Sequence, residues 1–203
     1  MSIDTTRIAG IPKPVSRVGL GTWAIGGWMW GGTDDRQSIA TVRKAVEQGI
    51  NLIDTAPAYG FGHSESIVGE ALVGIREQAV IAIKVALEWN EQEKITRNAS
   101  VARIRREIED SLRRLRTDHI DLYQVHWPDT LVPFDETAAE LERLRRDGKI
   151  LADRREQLQP RADGRVRLGR AAGGRAARRR RAPAARVASR KVVSCSMARS
   201  NRL

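Results

Sequence analysis

One pattern recurs along this chain between Val18 and Arg146: a short apolar run, then an amphipathic helical stretch. VGLGTW (Val18 to Trp23) reads as a first strand running into a glycine-rich loop. Asp34 is placed to cap a helix in which Ile39, Val42 and Val46 recur at helical spacing, and Gly49 is the expected stop. INLID (Ile50 to Asp54) follows as a second strand, its near-continuous apolar character predicting burial on both faces. The alternation continues with a helix over Ser64 to Val73, a strand over Ala79 to Ala86 and a long helix over Asn98 to Leu115. A strand over Ile120 to Trp127 and a helix over Glu136 to Arg146 complete it.

Such repetition implies a parallel sheet with helical crossovers, an α/β class. No Gly-x-Gly-x-x-Gly follows the first strand, which argues against a dinucleotide fold of the Rossmann type. The expected architecture is a partial (β/α)8 TIM barrel over residues 1–150, about four βα units, with an N-terminal hairpin suggested by Gly10, Pro12 and Pro14.

Charge divides the chain at the same boundary. Residues 1–150 carry 20 Lys and Arg against 22 Asp and Glu, whereas residues 151–203 carry 16 against 3. All five tryptophans lie in the first part. The second part is rich in Arg, Ala and Gly without sustained apolar periodicity, so it is expected to be a disordered basic tail. No run approaches a membrane span and no signal-peptide pattern is present. The single cysteine, Cys195, excludes an intrachain disulfide, and a cytoplasmic location without membrane partners is expected.

In a barrel of this kind the chemistry sits at the C-terminal strand ends. Asp54, Lys84 and His126 occupy those ends on the second, third and fourth expected strands, and Tyr59 lies in the Pro/Gly-bracketed loop after the second. A neutral phenol is a poor acid at neutral pH, but an adjacent ammonium favours the phenolate. Asp54 would hold Lys84 charged, and His126 could donate to a substrate oxygen. Taken singly, each residue has an ordinary reading: a turn-forming Asp, a solvent-reaching Lys, a packed His, a Tyr that covers a loop. Three successive strands ending in reactive side chains make the joint reading stronger.

These residues and their surroundings resemble the aldo-keto reductase family. The resemblance rests on GLGTW, GINLIDTAPAYG with SESIVGEAL, IAIKV, SLRRLRTDHIDLYQVHWPD and Gly148-Lys149, and covers roughly residues 7–150. It implies NADPH-dependent reduction of a small aldehyde or ketone to an alcohol, with no metal. Tyr59 would be the general acid, assisted by Lys84 and Asp54, with His126 orienting the carbonyl. Gly21, Thr22, Trp23 and Asp54 would lie on the cofactor side, and Trp28, Trp30 and Trp127 would wall the substrate pocket.

The family pattern next requires a fifth strand ending in a Gly-Val-Ser-Asn-Phe type of sequence, and here the chain departs from it. Codons for Asp153 through Gly164, read one base forward, can spell Ile-Gly-Val-Ser-Asn-Phe-Ser-Pro-Glu-Gln-Met-Asp. A frameshift is therefore expected, which sequencing the gene would test. A half-barrel lacking most of its cofactor contacts is expected to have little or no reductase activity and to self-associate through open edges. Two alternatives remain at this level. One is a nonspecific nucleic-acid-binding role for the tail through Arg178 to Arg181, without aromatic stacking and so without specific recognition. The other is a non-enzymatic regulatory member of the family.

Overall fold

The computed structural model describes residues 3–153. The expected disorder of the tail, its Arg178 to Arg181 run, Cys195 and nearly all of the segment expected to be out of frame lie outside the described residues. No helix among the described residues is long and apolar enough to cross a membrane.

A small antiparallel hairpin comes first, β1 (Thr5–Thr6) with β2 (Val15–Ser16). The βα units follow: β3 (Gly19–Gly21), α1 (Asp35–Glu47), β4 (Leu52–Asp54), α2 (His63–Ala71) and β5 (Val80–Val85). A second hairpin, β6 (Leu87–Trp89) with β7 (Ile95–Arg97), interrupts the alternation before α3 (Val101–Leu115). Next come β8 (Ile120–Val125), α4 (Phe134–Arg146) and β9 (Ile150–Asp153). Five strands form one all-parallel sheet in the order β3-β4-β5-β8-β9. Among the described residues the order never reverses, so this part of the sheet has no topological switch point and advances as a barrel wall does.

Alternation assigns the two faces. Ile81, Ile83 and Val85 of β5 point into the larger core with Ile53, Tyr123 and the inward stripes of all four helices, including Val42, Val68, Ile104 and Leu141. Val80 and Ala82 point the other way, joining Leu122, Ala152 and Leu52. Ile11 and Val15 of the N-terminal segment pack on that inner face, and Lys13 donates to the carbonyls of Glu77 and Ala79 at 2.6 and 3.1 Å. The hairpin thus closes the N-terminal end of the strands, and among the described residues the C-terminal end is open.

Helix boundaries follow local chemistry. Asp34 accepts from Gln37 N–H at 2.9 Å, the expected cap, and Gly49 takes φ +85° beyond α1. The long helix starts at Val101 and not at Asn98, because Ser100 is its cap and accepts from Arg103 N–H. Helix α4 starts at Phe134, two residues early, with Asp135 and Glu136 favourably placed in its first turn.

Three sequence expectations need correction. The last β8 residue is Val125, so His126 and Trp127 begin the loop beyond it. The β6–β7 hairpin had no counterpart in the expected pattern. Leu151 to Asp153, read as tail, complete a fifth strand: Ile150 and Ala152 are buried against β8, in register with Ile120 and Leu122.

Candidate active site

Parity on the sheet selects the site. Counting by twos from the inner-face residues Leu52, Ala82 and Leu122 reaches Asp54, Lys84 and, past Gln124, His126. All three therefore project to the inner side at the open end. Asp54 pairs in register with Ala82, and Lys84 with Gln124, so the three groups climb a diagonal across neighbouring strands. Lys84 Nζ reaches back one step to donate to Asp54 Oδ1 at 2.5 Å and to the Thr55 carbonyl at 3.4 Å. Its ammonium lies 5.1 Å from the centroid of the Tyr59 ring. The His126 ring meets Tyr59 edge-on, with centroids 6.0 Å apart at 84°. The four residues singled out in the sequence thus converge.

Tyr59 is held by its backbone. Its N–H donates to Ala56 at 3.0 Å and its carbonyl accepts from Ser64 at 3.2 Å. The loop is seated by two glycines in direct contact. A Cβ on Gly60 (φ +64°) would stand 2.0 Å from the Gly26 carbonyl oxygen, and one on Gly26 would stand 2.5 Å from the Tyr59 carbonyl carbon. Only two bare backbones can approach this closely.

Thr22, expected on the cofactor side, is fully buried. Its N–H and hydroxyl donate to the Asp54 carbonyl at 2.9 and 3.1 Å. The Ser64 hydroxyl lies 2.7 Å from the Thr22 hydroxyl and 3.1 Å from that of Thr55. This trio ties the ends of β3 and β4 to the start of α2, so the Thr22 side chain frames Asp54 and does not face the opening. Thr55 and Ser64 escaped the sequence reading because buried hydroxyls carry no periodic signal.

Burial of the His126 imidazole, reinforced by the Lys84 ammonium and only partly opposed by Asp54, holds its pKa down at about 4. At neutral pH it is an uncharged ring with one N–H to donate.

Aromatic rings extend the site on both sides. Trp30 packs edge-on to Trp23 at 5.5 Å, Trp23 lies 6.3 Å from Tyr59, and Trp127 lies 5.4 Å from His126. Trp23, Trp30 and Trp127 are all nearly half exposed. Trp28, grouped with the pocket wall in the sequence reading, belongs to a separate stack: it meets Phe61 at 5.3 Å, and Phe61 meets Trp89 at 5.5 Å. Phe61, Trp89 and Arg97, whose guanidinium lies 5.8 Å from the Trp127 ring, were not foreseen. They arrive with the β6–β7 hairpin or with the left-handed turn at Phe61.

The residues expected on the cofactor side leave room for a flat ring. A Cβ built on Gly21, the register partner of Asp54, meets nothing within 4 Å, and the exposed Trp23 ring flanks the gap. The later strands and loops to which the resemblance assigns the cofactor phosphates have no counterpart among the described residues.

The model of the Aldo/keto reductase family matches residues 17–152. The aldo-keto reductase YhdN of Bacillus subtilis is 57% identical over 152 residues, covering 74% of this chain and 46% of that protein. The NADH-specific methylglyoxal reductase of Escherichia coli is 46% identical over 153 residues, covering 68% and 47%. Among solved structures, a glycerol dehydrogenase from Gluconobacter oxydans matches with a TM-score of 0.69 at 57% identity, over 75% of this chain and 48% of that one. A Klebsiella pneumoniae aldo/keto reductase in complex with NADP and acetate matches with a TM-score of 0.62 at 34% identity, over 75% and 49%. The chain spans about half the length of the curated relatives it matches.

Proposed function

Because this chain belongs to the aldo/keto reductase family of oxidoreductases, we propose that Asp54, Tyr59, Lys84 and His126 form the site that reduces a small aldehyde or ketone to an alcohol, with NADPH as reductant. The observation that carries the reading is the placement of one ammonium. Lys84 is bonded to Asp54 and lies over the Tyr59 ring, where it stabilises the phenolate that proton donation leaves behind.

When bound, the cofactor supplies the hydride. Tyr59 donates its hydroxyl proton to the carbonyl oxygen. Asp54 fixes the Lys84 ammonium so that no reorganisation is needed as charge develops. The uncharged His126 donates a hydrogen bond to the same oxygen and so orients the substrate. Trp23, Trp30 and Trp127 give the site an apolar rim. Gly21 and Trp23 would receive the nicotinamide. The Klebsiella relative's complex with NADP supports the phosphorylated cofactor, while the NADH-specific relative from Escherichia coli makes NADH the competitor to test.

The test is NADPH oxidation by the purified chain with methylglyoxal, and in reverse with glycerol and NADP. Slow turnover is expected, abolished by Tyr59→Phe. Equal rates in the wild type and Tyr59→Phe, or no Tyr59-dependent turnover in a chain that binds the cofactor, would overturn the reading. A fluorescence titration of the tryptophans with NADPH separates loss of binding from loss of chemistry.

A further inference from the structure

Immediately past Lys84 the backbone adopts a conformation that side chains resist. Ala86 sits at φ +78° and is fully buried. Contacts from three directions hold it there. Asn98 N–H donates to the Ala86 carbonyl at 3.1 Å. Arg103 Nη2 donates to the Leu87 carbonyl at 2.8 Å, and its guanidinium lies 5.4 Å from the Trp89 ring. The Glu107 carboxyl, 2% exposed, faces the Ala86 N–H and is gripped by Arg103 Nε at 2.9 Å. One residue earlier, the Val85 carbonyl accepts from His126 N–H at 2.9 Å. The joint at Ala86 is therefore the common root of Lys84, of His126 through Val85, and of the hairpin that brings Trp89 and Arg97 to the two aromatic stacks.

We infer that Glu107, acting with Arg103, is a positioning residue: it holds the Ala86 joint and thereby sets the aim of Lys84 and His126. The inference rests on the reductase reading above. Neither α3 residue touches the four proposed reacting groups in the contacts described, so their effect passes through backbone.

The charge state of Glu107 changes near neutrality. Burial pushes its carboxyl up to about 7, against the pull of Arg103 and the Ala86 N–H, and Glu65 on α2 adds to the rise. The Tyr123 hydroxyl on β8 also feels the Glu107 charge, and Arg114 is bonded to Glu65. The ionised carboxyl accepts more strongly from both Arg103 and Ala86, so the joint is held harder above this pH than below it. Stability runs the other way. A carboxyl raised in the folded state stabilises the fold fully below its unfolded value, and that contribution is lost as pH rises toward 7. A purely structural Glu107 would make activity follow stability; a positioning Glu107 makes the two diverge.

Two measurements decide it. The first is the backbone amide signal of Ala86 across pH by nuclear magnetic resonance, which needs no turnover. It is expected to titrate with a midpoint near 7 and to lose that titration in Glu107→Gln. A pH-invariant Ala86 signal overturns the inference. The second is kcat and KM for carbonyl reduction over the same range. A kcat limb rising through pH 7 is expected in the wild type and absent in Glu107→Gln. Glu107→Leu should lower kcat about tenfold with KM for NADPH unchanged, and adding Ala86→Gly should recover part of the loss by relieving the backbone. An unaltered limb in Glu107→Gln, or a Glu107→Leu loss that Ala86→Gly leaves untouched and that follows a fall in melting temperature, overturns it. Absent Tyr59-dependent turnover defeats the reductase reading instead, and the amide titration still reports whether Glu107 holds the joint.

Discussion

Lys84 joins two roles in one nitrogen, bonded to a carboxylate on one side and set over a phenol ring on the other. Lys84→Met keeps the length and removes the charge. It is expected to lower carbonyl turnover by ~10² or more while leaving the fold intact, as read from kcat and from circular dichroism. His126 gives a second prediction, on pH. Its folded value near 4 lies below the ordinary histidine value of 6.5. Between these limits the unfolded chain binds the extra proton, so this group stabilises the fold above 6.5 and its contribution is lost as pH falls to about 4. Glu107 slopes the opposite way over much of that range. Denaturant midpoints for His126→Gln should therefore show a net fall with rising pH that the wild type partly masks. The four site residues were legible in the sequence because each closes, or closely follows, an apolar run. Thr55, Ser64 and Glu107 were not, because a hydroxyl or carboxyl facing a buried partner looks in sequence like any polar position on a helix or loop.

At the scale of elements, the long α3 and the β4, β5 and β8 strands were the most readable. Their apolar residues are buried, on one stripe of the helix and on both faces of the strands. The β6–β7 hairpin was invisible for the opposite reason: its short strands mix Glu88, Thr96 and Arg97 with the apolar residues, and the polar NEQEK between them carries no glycine. The loop holding Tyr59 depends on a contact between elements that no local pattern announces. Gly60→Ala would drive a methyl group into the Gly26 carbonyl and add strain at φ +64°. A loss of about 2 kcal/mol or more is expected, measured by urea denaturation, with a larger proportional loss of turnover because Tyr59 must move. A similar approach fixes α2 on α3, where a Cβ on Gly69 would stand 2.4 Å from the Arg114 carbonyl oxygen.

For the whole molecule, the sheet pairs β3 and β9 on one side only among the described residues. Within the described residues each outer strand has one unpaired backbone edge, which can accept another strand. Self-association of the full chain is expected: sedimentation velocity should show species heavier than a monomer that grow with concentration. A monodisperse monomer across that range would count against it. The class of the fold was readable because βα alternation survives any error in individual boundaries. The fifth strand was missed because only Ile150 and Ala152 mark it, and a strand of four residues beside a polar run leaves no alternation to follow.

The two-sided wiring of β5 makes that strand a counter with only two settings. Odd-numbered Ile81, Ile83 and Val85 belong to the helices, and even-numbered Val80, Ala82 and Lys84 to the inner face. Deleting one residue between Val80 and Ile83 would flip the setting, sending the ammonium among aliphatic helix contacts and an aliphatic side chain toward Tyr59. Deleting two would restore the setting and merely shorten the reach to Asp54. Length variants of this strand should therefore fall into two populations by parity and not by size, which a deletion series read out by soluble yield and proton-transfer competence would display directly.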